Sequence, residues 1–343
     1  MALQVLNGQS PIIVPRHLVR NGQIDRVSMY RELVDNGLLR EDETRQIEET
    51  LTRVSRRDLR AVARLREAGM IANLNNIGVT SYEFDRVTPV GEATQAMSIL
   101  AALGDRDLVR FGRSSIPVPV TASQFSLDIR HRAAGQGMGQ PVDLTNLEEH
   151  TRSVAEKMED TLVNGSTDIV LNGNGLPGYT NFSARHQVSY SDVPWDEISG
   201  DPEAAITDVL AMRTALRNDG FSGPYDLYVS ADYDGVLDKD YKAFGDRTLR
   251  ERLLSIDGVG RIIVLPTLGA QQVLMVQMTQ SVAVWASGQD ITSITWDQYG
   301  GLASSWAVMN VGAPALKVSY AREPLSMGVL PVLSESSGIA HLS

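Results

Sequence analysis

The stretch Val142–Gly165, VDLTNLEEHTRSVAEKMEDTLVNG, constrains the fold most, because it spells one long amphipathic helix with both ends marked. Leu147, Thr151, Val154, Met158 and Leu162 recur at three and four residues and so share one face, whereas Glu148, Glu149, Arg152, Glu156, Lys157, Glu159 and Asp160 are expected in water. Thr145 with Glu148 three residues on reads as a capping box, in which hydroxyl and carboxylate each accept a backbone N–H of the first turn. Gly165 offers the left-handed residue that ends a helix. About 19 residues at ~1.5 Å each give a rod of roughly 28 Å, enough to cross a domain. Burying five side chains along it contributes on the order of 5–10 kcal/mol before chain entropy opposes it. Such a helix is a spine, and its apolar face must lie against something else.

The 343 residues can hold one large or two ordinary domains. Residues 1 to about 40 carry Pro11, Pro15, Gly22 and Gly37 among short apolar clusters and read as an irregular arm, with one short helix near Ser28–Asn36. Glu41–Ala68 reads as a second helix, with Ile47, Leu51, Val54, Ala61, Val62 and Leu65 on one seam. Its acids precede its arginines, an order that suits the helix dipole. Ser81–Val90 and Ile116–Arg132 read as strands, separated by a partly apolar insert from Gly91 to Ser115. A two-stranded ribbon with a long tip is marginal in water by itself, and Pro117 and Pro119 suit an edge strand.

After a Gly135, Gly137, Gly139 joint and the spine comes a short strand at Ile169–Leu171, then Gly173, Gly175 and Gly178 in the GxGxxG spacing. A phosphate cradle needs that motif to open a helix, and Pro177 with the following TNFSARHQVSYS does not make one, so a tight Asn-Gly turn and loop is expected. Asp201-Pro202 opens a helix to about Arg217, Tyr225–Ser230 is a strand, and Arg247–Ile256 is a helix ended by Gly258. Arg261–Thr267, Gln272–Met278, Val282–Trp285 and Ile291–Trp296 read as successive strands of a mixed or antiparallel sheet. Ser304–Ala321 reads as a long extended run broken at Gly312-Ala-Pro314. The expected fold is α+β, with the spine on a sheet that includes the C-terminal strand.

Charge and composition narrow the function. Lys+Arg 31 against Asp+Glu 42 leaves a net charge of -11, which disfavours a general grip on nucleic acid or anionic membrane. The arginine cluster at Arg56, Arg57 and Arg60 leaves a local DNA contact as the sharper reading of a helix whose plainer reading is a solvated face. The absence of cysteine excludes disulfides and thiolate metal sites. No apolar run approaches the ~20 residues of a bilayer span and the first residues lack a secretion signal, so a soluble chain made in the cytosol is expected. No GxSxG elbow, Walker lysine or HExxH occurs, and His17, His131, His150, His186 and His341 are dispersed, so no catalytic, cofactor or metal site is expected. Asp105/Asp107 and Asp238/Asp240 are acid pairs more typical of exposed loops than of calcium sites. Trp195, Trp285, Trp296 and Trp306 are expected in the core.

The order of parts, together with three short motifs, resembles the major capsid protein of tailed bacteriophages, the Hong Kong 97 fold also seen in encapsulin shells. Glu159-Asp160-Thr-Leu-Val-Asn164-Gly165 is similar to the end of the spine in encapsulin-like members. Gly175-Leu-Pro-Gly178-Tyr-Thr-Asn181 resembles the loop that follows it, and Leu249–Leu253 with Gly260-Arg-Ile-Ile resembles a helix and strand of the apical domain. The resemblance covers about residues 40 to 335. It implies an N-terminal arm over 1–75, an extended loop over 76–138, a peripheral domain from 139–179 and 304–343, and an axial domain over 180–303.

By the same resemblance the chain assembles into pentamers and hexamers of an icosahedral head that packages dsDNA, in the virion, after assembly in the host cytoplasm. Met97, Ile99, Leu103, Arg110, Phe111 and Arg113 would meet a neighbouring subunit, and Arg56, Arg57 and Arg60 would face the DNA in weak nonspecific contact. A portal, a separate scaffolding protein and a decoration protein are the implied partners, with no cofactor and no membrane. Some members weld subunits through a lysine of the extended loop, but no lysine lies between Ser81 and Gly137, so a shell held by noncovalent contacts is expected. The alternative is an encapsulin-type compartment enclosing a cargo enzyme.

Overall fold

The computed structural model describes residues 2–4, 12–14, 19–20, 23–24, 41–88, 110–128, 130, 144–171, 173–191, 194–195, 203–240, 247–299, 303–317, 319–322, 333–336 and 339–342. The short helix expected near Ser28–Asn36, the insert with Met97, Ile99 and Leu103, the glycine joint, the Asp201-Pro202 cap, Asp105/Asp107, His17 and His131 lie outside the described residues.

Strands β1 (Ala2–Gln4) and β2 (Ile12–Val14) pair antiparallel, as do β3 (Val19–Arg20) and β4 (Gln23–Ile24). Helices α1 (Glu41–Asp58) and α2 (Ala61–Glu67) follow, then β5 (Ile71–Asn73), β6 (Ser81–Thr88), β7 (Arg110–Pro117) and β8 (Val120–Asp128). The spine is α3 (Leu144–Asn164). After it come β9 (Ser166–Leu171), β10 (Asn174–Leu176), β11 (His186–Val188), α4 (Glu203–Asn218), β12 (Tyr225–Ser230), a 3-10 turn at Ala231–Tyr233, α5 (Asp234–Leu237) and α6 (Leu249–Leu254). The chain ends with β13 (Val259–Leu265), β14 (Val273–Gln277), β15 (Ala283–Gln298), β16 (Ala303–Leu316), β17 (Ser319–Arg322), β18 (Leu333–Ser336) and β19 (Ile339–Leu342).

The chain falls into two compact units, one of Met1–Arg53, Gln124–His150 and Ser293–Ala307, the other of Val54–Ser123, Thr151–Thr292 and Val308–Ser343. In the first, Ile47, Leu51 and Leu147 are buried, Phe125 stacks on His150 at 4.8 Å and on Trp306 at 6.0 Å between ring centroids, and Arg53 pairs with Glu148. His150 is thus a packed helix residue. Trp296, expected in the core, is 39 % exposed, and Ile294 and Tyr299 in the same stretch of sequence are exposed too.

The second unit is built on a mixed five-stranded sheet of order β11-β19-β14-β12-β13. The β12–β13 and β11–β19 pairs are parallel, and β14 runs antiparallel to both β12 and β19. Every residue of β12 and of β14 is buried, as a strand covered on both faces requires. Residues 339–342, grouped with the spine on the resemblance, pair here between His186–Val188 and Val273–Gln277.

Several boundaries differ from the pattern reading for physical reasons. Val282–Trp285 and Ile291–Trp296 are not two strands but one, β15. Gly312-Ala-Pro314 does not interrupt β16; a Cβ on Gly312 would lie 2.8 Å from Trp285 Nε1, so the glycine serves close packing on the indole. The second ribbon strand starts at Arg110 in place of Ile116, which shortens the insert, and Pro117 and Pro119 mark the step to β8 at the edge of the β5-β15-β16-β8 sheet.

The spine keeps its expected seam: Leu147, Thr151, Val154, Met158 and Leu162 are all buried, and Gly165 has φ +70°. Leu144 is already helical, so Thr145 lies inside the first turn and is not the cap. The helix expected over Glu41–Ala68 is two, broken at Leu59-Arg60, although all six seam residues are buried as expected.

Candidate functional site

Two features stand out: a ribbon whose two strands, among the described residues, pair only with each other, and a buried polar joint around the C-terminal half of the spine. In the ribbon, β6 and β7 form a two-stranded antiparallel sheet in register from Ser81 opposite Pro117 to Thr88 opposite Arg110. Its base is anchored, since Ile116 and Val118 are buried with Leu176, Val284, Val311, Ala313 and Ala315, and Tyr82 and Phe84 pack against them. Away from the base that burial ends. Phe111, opposite Val87, is 74 % exposed. Arg113 reaches across the ribbon to Asp85 at 3.3 Å and Glu83 at 3.4 Å, so its charge is engaged within the chain. Arg110 pairs through its backbone with Thr88.

The spine's end is closed by the loop that the sequence spells as GLPGYTN. Tyr179 N–H donates to Leu162 O at 3.0 Å and Thr180 N–H to Val163 O at 2.9 Å, which gives partners to carbonyls that the last helical turn leaves open. Thr180 Oγ1 donates to Val163 O, and Asn181 Oδ1 accepts from Gly178 N–H at 2.7 Å. Asn164 Nδ2 donates to Asp160 Oδ1 and to Thr267 O. Gly178 lies so close to Gly165 that a side chain fits at neither. The expected tight turn joins two strands: β9 and β10 pair antiparallel, with Gly173 at φ +82° between them. The GxGxxG spacing therefore serves a turn and a helix cap.

One turn earlier the spine carries Glu159, expected in water and found only 3 % exposed. Its carboxylate accepts Ala61 N–H at 3.1 Å and Val62 N–H at 3.2 Å, so it caps α2 from another helix. Nothing between Glu41 and Ala68 is glycine or proline. The break at Leu59-Arg60 is accordingly set by this tertiary contact and not by local propensity. Burial pushes the Glu159 carboxyl up to about 7, against the backbone N–H bonds and Arg60, which favour the anion. Burial, with Glu159 and Asp226 nearby, also pushes the Tyr179 hydroxyl far above its usual range, and that hydroxyl has no hydrogen-bond partner among the described residues.

Asp226 of β12, 1 % exposed, accepts from Arg64 Nε at 2.5 Å and from Arg64 Nη2 at 3.4 Å, tying α2 to the five-stranded sheet. The bond to Asp226 outweighs burial and raises the Arg64 pKa further. Arg60, expected to face DNA, donates to Val264 O at 2.8 Å. The side chains of Arg56 and Arg57 are outside the described residues. Asp238 pairs with Arg250 at 3.0 Å, and no group of three metal-ligating side chains occurs among the described residues.

Glu159 had a visible signal that the charge pattern overrode: Ala155, Leu162 and Val163, at minus four, plus three and plus four, put it beside the buried seam.

A model described as a family of unknown function (DUF6260) matches residues 35–299. The chain belongs to this family. A comparison with curated proteins found no match for the DUF6260 chain. Solved structures do resemble it. The virus-like particle from Pyrococcus furiosus has a TM-score of 0.60 at 17 % identity, covering 87 % of this chain and 98 % of that one. The capsid of Myoviridae phage XM1 has a TM-score of 0.60 at 12 % identity, covering 81 % and 90 %. The capsid of a native GTA particle has a TM-score of 0.56 at 14 % identity, covering 83 % and 90 %. The α+β capsid fold expected from the sequence is the fold of this DUF6260 chain.

Proposed function

We propose that the chain is the repeating subunit of a closed protein shell, the major capsid protein of a tailed dsDNA phage, assembling into pentamers and hexamers through noncovalent contacts. The observation that carries the reading is the ribbon: an element anchored at its base, with no third strand paired to it among the described residues and with Phe111 open to water, in a chain whose fold is that of shell subunits. A strand pair of this length gains little from standing alone, and a neighbouring copy that covers it supplies the missing burial. Met97, Ile99, Leu103, Arg110, Phe111 and Arg113 would then lie at subunit contacts, and the regions 1–75, 76–138, 139–179 with 304–343, and 180–303 would act as arm, extended loop, peripheral and axial domains. A portal, a separate scaffold and a decoration protein are the partners such a head would use, and assembly would take place in the host cytoplasm.

A second reading, a shell compartment around protein cargo, is favoured by the match that covers 98 % of the Pyrococcus furiosus particle's chain. Negative-stain microscopy and light scattering of the expressed chain, alone and with a candidate scaffold, test the shell itself. Closed particles or capsomers support it, and a monodisperse monomer under all conditions rejects it. Nuclease-protected DNA in the purified particle supports the phage head; protein cargo without DNA supports the compartment. Ladders of high mass surviving boiling in detergent would contradict the noncovalent shell.

A further inference from the structure

The joint around Glu159 carries an inference that does not depend on the shell. The α2 break is shallow: Arg60 has φ −103° and ψ −58°, still in the right-handed helical region, and its own side chain makes no cap. What holds the first N–H groups of α2 is the Glu159 carboxylate alone among the side chains described, at 3.1 and 3.2 Å. Glu159, 3 % exposed, also lines an open cleft of about 640 Å³, together with Arg60, Ser123, Lys157, Asp160 and Thr267.

Among the described residues, the groups around it leave the charge without an ion-pair partner. From α2, Arg64 is committed to Asp226 and Arg60 to the Val264 carbonyl. From the loop after the spine, Tyr179 presents a buried hydroxyl, and from β12 come Asp226, paired with Arg64, and the Tyr228 phenol, which burial keeps protonated. On the spine itself Lys157 and Asp160 pair with each other at 2.7 Å. Among the described residues, an anion in this position has N–H donors at hydrogen-bond distance and no cation paired to it, the Arg60 guanidinium acting only from a distance.

We propose that Glu159 is a proton-operated latch on α2: neutral, it rests closed in the joint; ionised, it is drawn toward the water of the cleft and releases Ala61 and Val62. The direction follows from linkage. The closed joint holds the carboxyl proton more tightly than water does, to about 7 against an ordinary 4.5, so falling pH closes the latch and rising pH opens it.

Hydrogen exchange of the full-length chain, read by mass spectrometry and corrected for intrinsic chemistry, tests this between about pH 5 and about pH 8. Protection of a peptide spanning Arg60–Val62 should fall tenfold to hundredfold over that range, while protection in α4 (Glu203–Asn218) stays level. Glu159→Gln should abolish the fall and keep the protection of the acidic end throughout. The latch is overturned if protection at Arg60–Val62 is flat in the unaltered protein, if α4 loses protection in parallel, or if Glu159→Gln shows the same fall. Should Glu159→Gln not fold, the series on the unaltered protein decides by the first two outcomes.

Discussion

Replacing Gly178 by alanine probes the loop that closes the spine. A Cβ there would lie 2.2 Å from Gly165 N, 2.5 Å from Asn164 C and 2.7 Å from Val163 O. All three are backbone atoms, so no rotamer relieves the clash and the loop must retreat. Retreat breaks the bonds from Tyr179 N–H to Leu162 O and from Thr180 N–H to Val163 O, at about 1 kcal/mol each. It also disturbs Tyr179, whose side chain is wholly buried against Tyr228. Together these amount to roughly 3–5 kcal/mol, the range of a large single-site loss.

The neighbouring glycines supply the controls. Gly175 would have nothing within 4 Å of an added Cβ, so Gly175→Ala should stay within about 0.5 kcal/mol. Gly173 is also unobstructed but has φ +82°, so Gly173→Ala should cost about 1–2 kcal/mol from backbone strain alone. Urea unfolding of the purified chain, followed by tryptophan fluorescence where it is not assembled, gives all three values. If Gly178→Ala and Gly175→Ala lose equal stability, or Gly178→Ala loses under about 1 kcal/mol, the close approach is not what the glycine is for.

Global stability should carry the signature of two buried groups of opposite sign. Glu159, raised from 4.5 to about 7, contributes stability that is full below its ordinary value and is lost as pH rises through 7, by about 3 kcal/mol, and Glu159→Gln should remove that alkaline loss. His341, lowered from 6.5 to about 4 by burial and then by Arg185, contributes stability that is present above its ordinary value and is lost as pH falls toward 4; His341→Gln should flatten that acid limb in the same denaturation series. Asp226→Asn leaves Arg64 with one weakened partner in a mostly buried site and should cost roughly 2–4 kcal/mol by urea unfolding, with little change for the exposed pair partner Glu67→Gln. Phe111→Ser should leave the unfolding midpoint within about 0.5 kcal/mol while lowering the yield of particles; an unchanged yield would remove Phe111 from the subunit contacts.

Helix periodicity proved legible wherever one face alone decides burial. The seams of the spine and of α1 and α2 lie buried residue for residue, and Gly165 and Gly258 sit in the left-handed conformation their positions suggested. Strand existence was legible for β12, β13 and β14 but not for the short strands β5, β11 and β19, which are set by pairing with distant partners, and strand continuity was not legible. A strand such as β15, buried over Ala283–Gly288 and largely exposed beyond, gives no steady alternation to read, and Gly288 or Gly312 looks like punctuation until its neighbour is known. Gly288 stands against Val311 and the backbone of Asn76, and Gly312 against Trp285, so each glycine makes room for a partner far away in sequence.

The same limit explains the joint. A carboxylate flanked by Glu156, Lys157 and Asp160 is assigned to water by any rule that weighs local charge, and the helix from Glu41 to Ala68 is continuous by any rule that weighs local propensity. Each rule fails at the point where the two elements touch. The N–H groups left open by breaking one helix satisfy the carboxylate that the other buries, so neither irregularity is affordable without its counterpart. A variant that repairs only one side therefore exposes the dependence: Glu159→Leu removes the buried charge but also both acceptors of α2, whereas Glu159→Gln removes the charge and keeps an acceptor, so the difference between the two above pH 7 measures what the cap contributes.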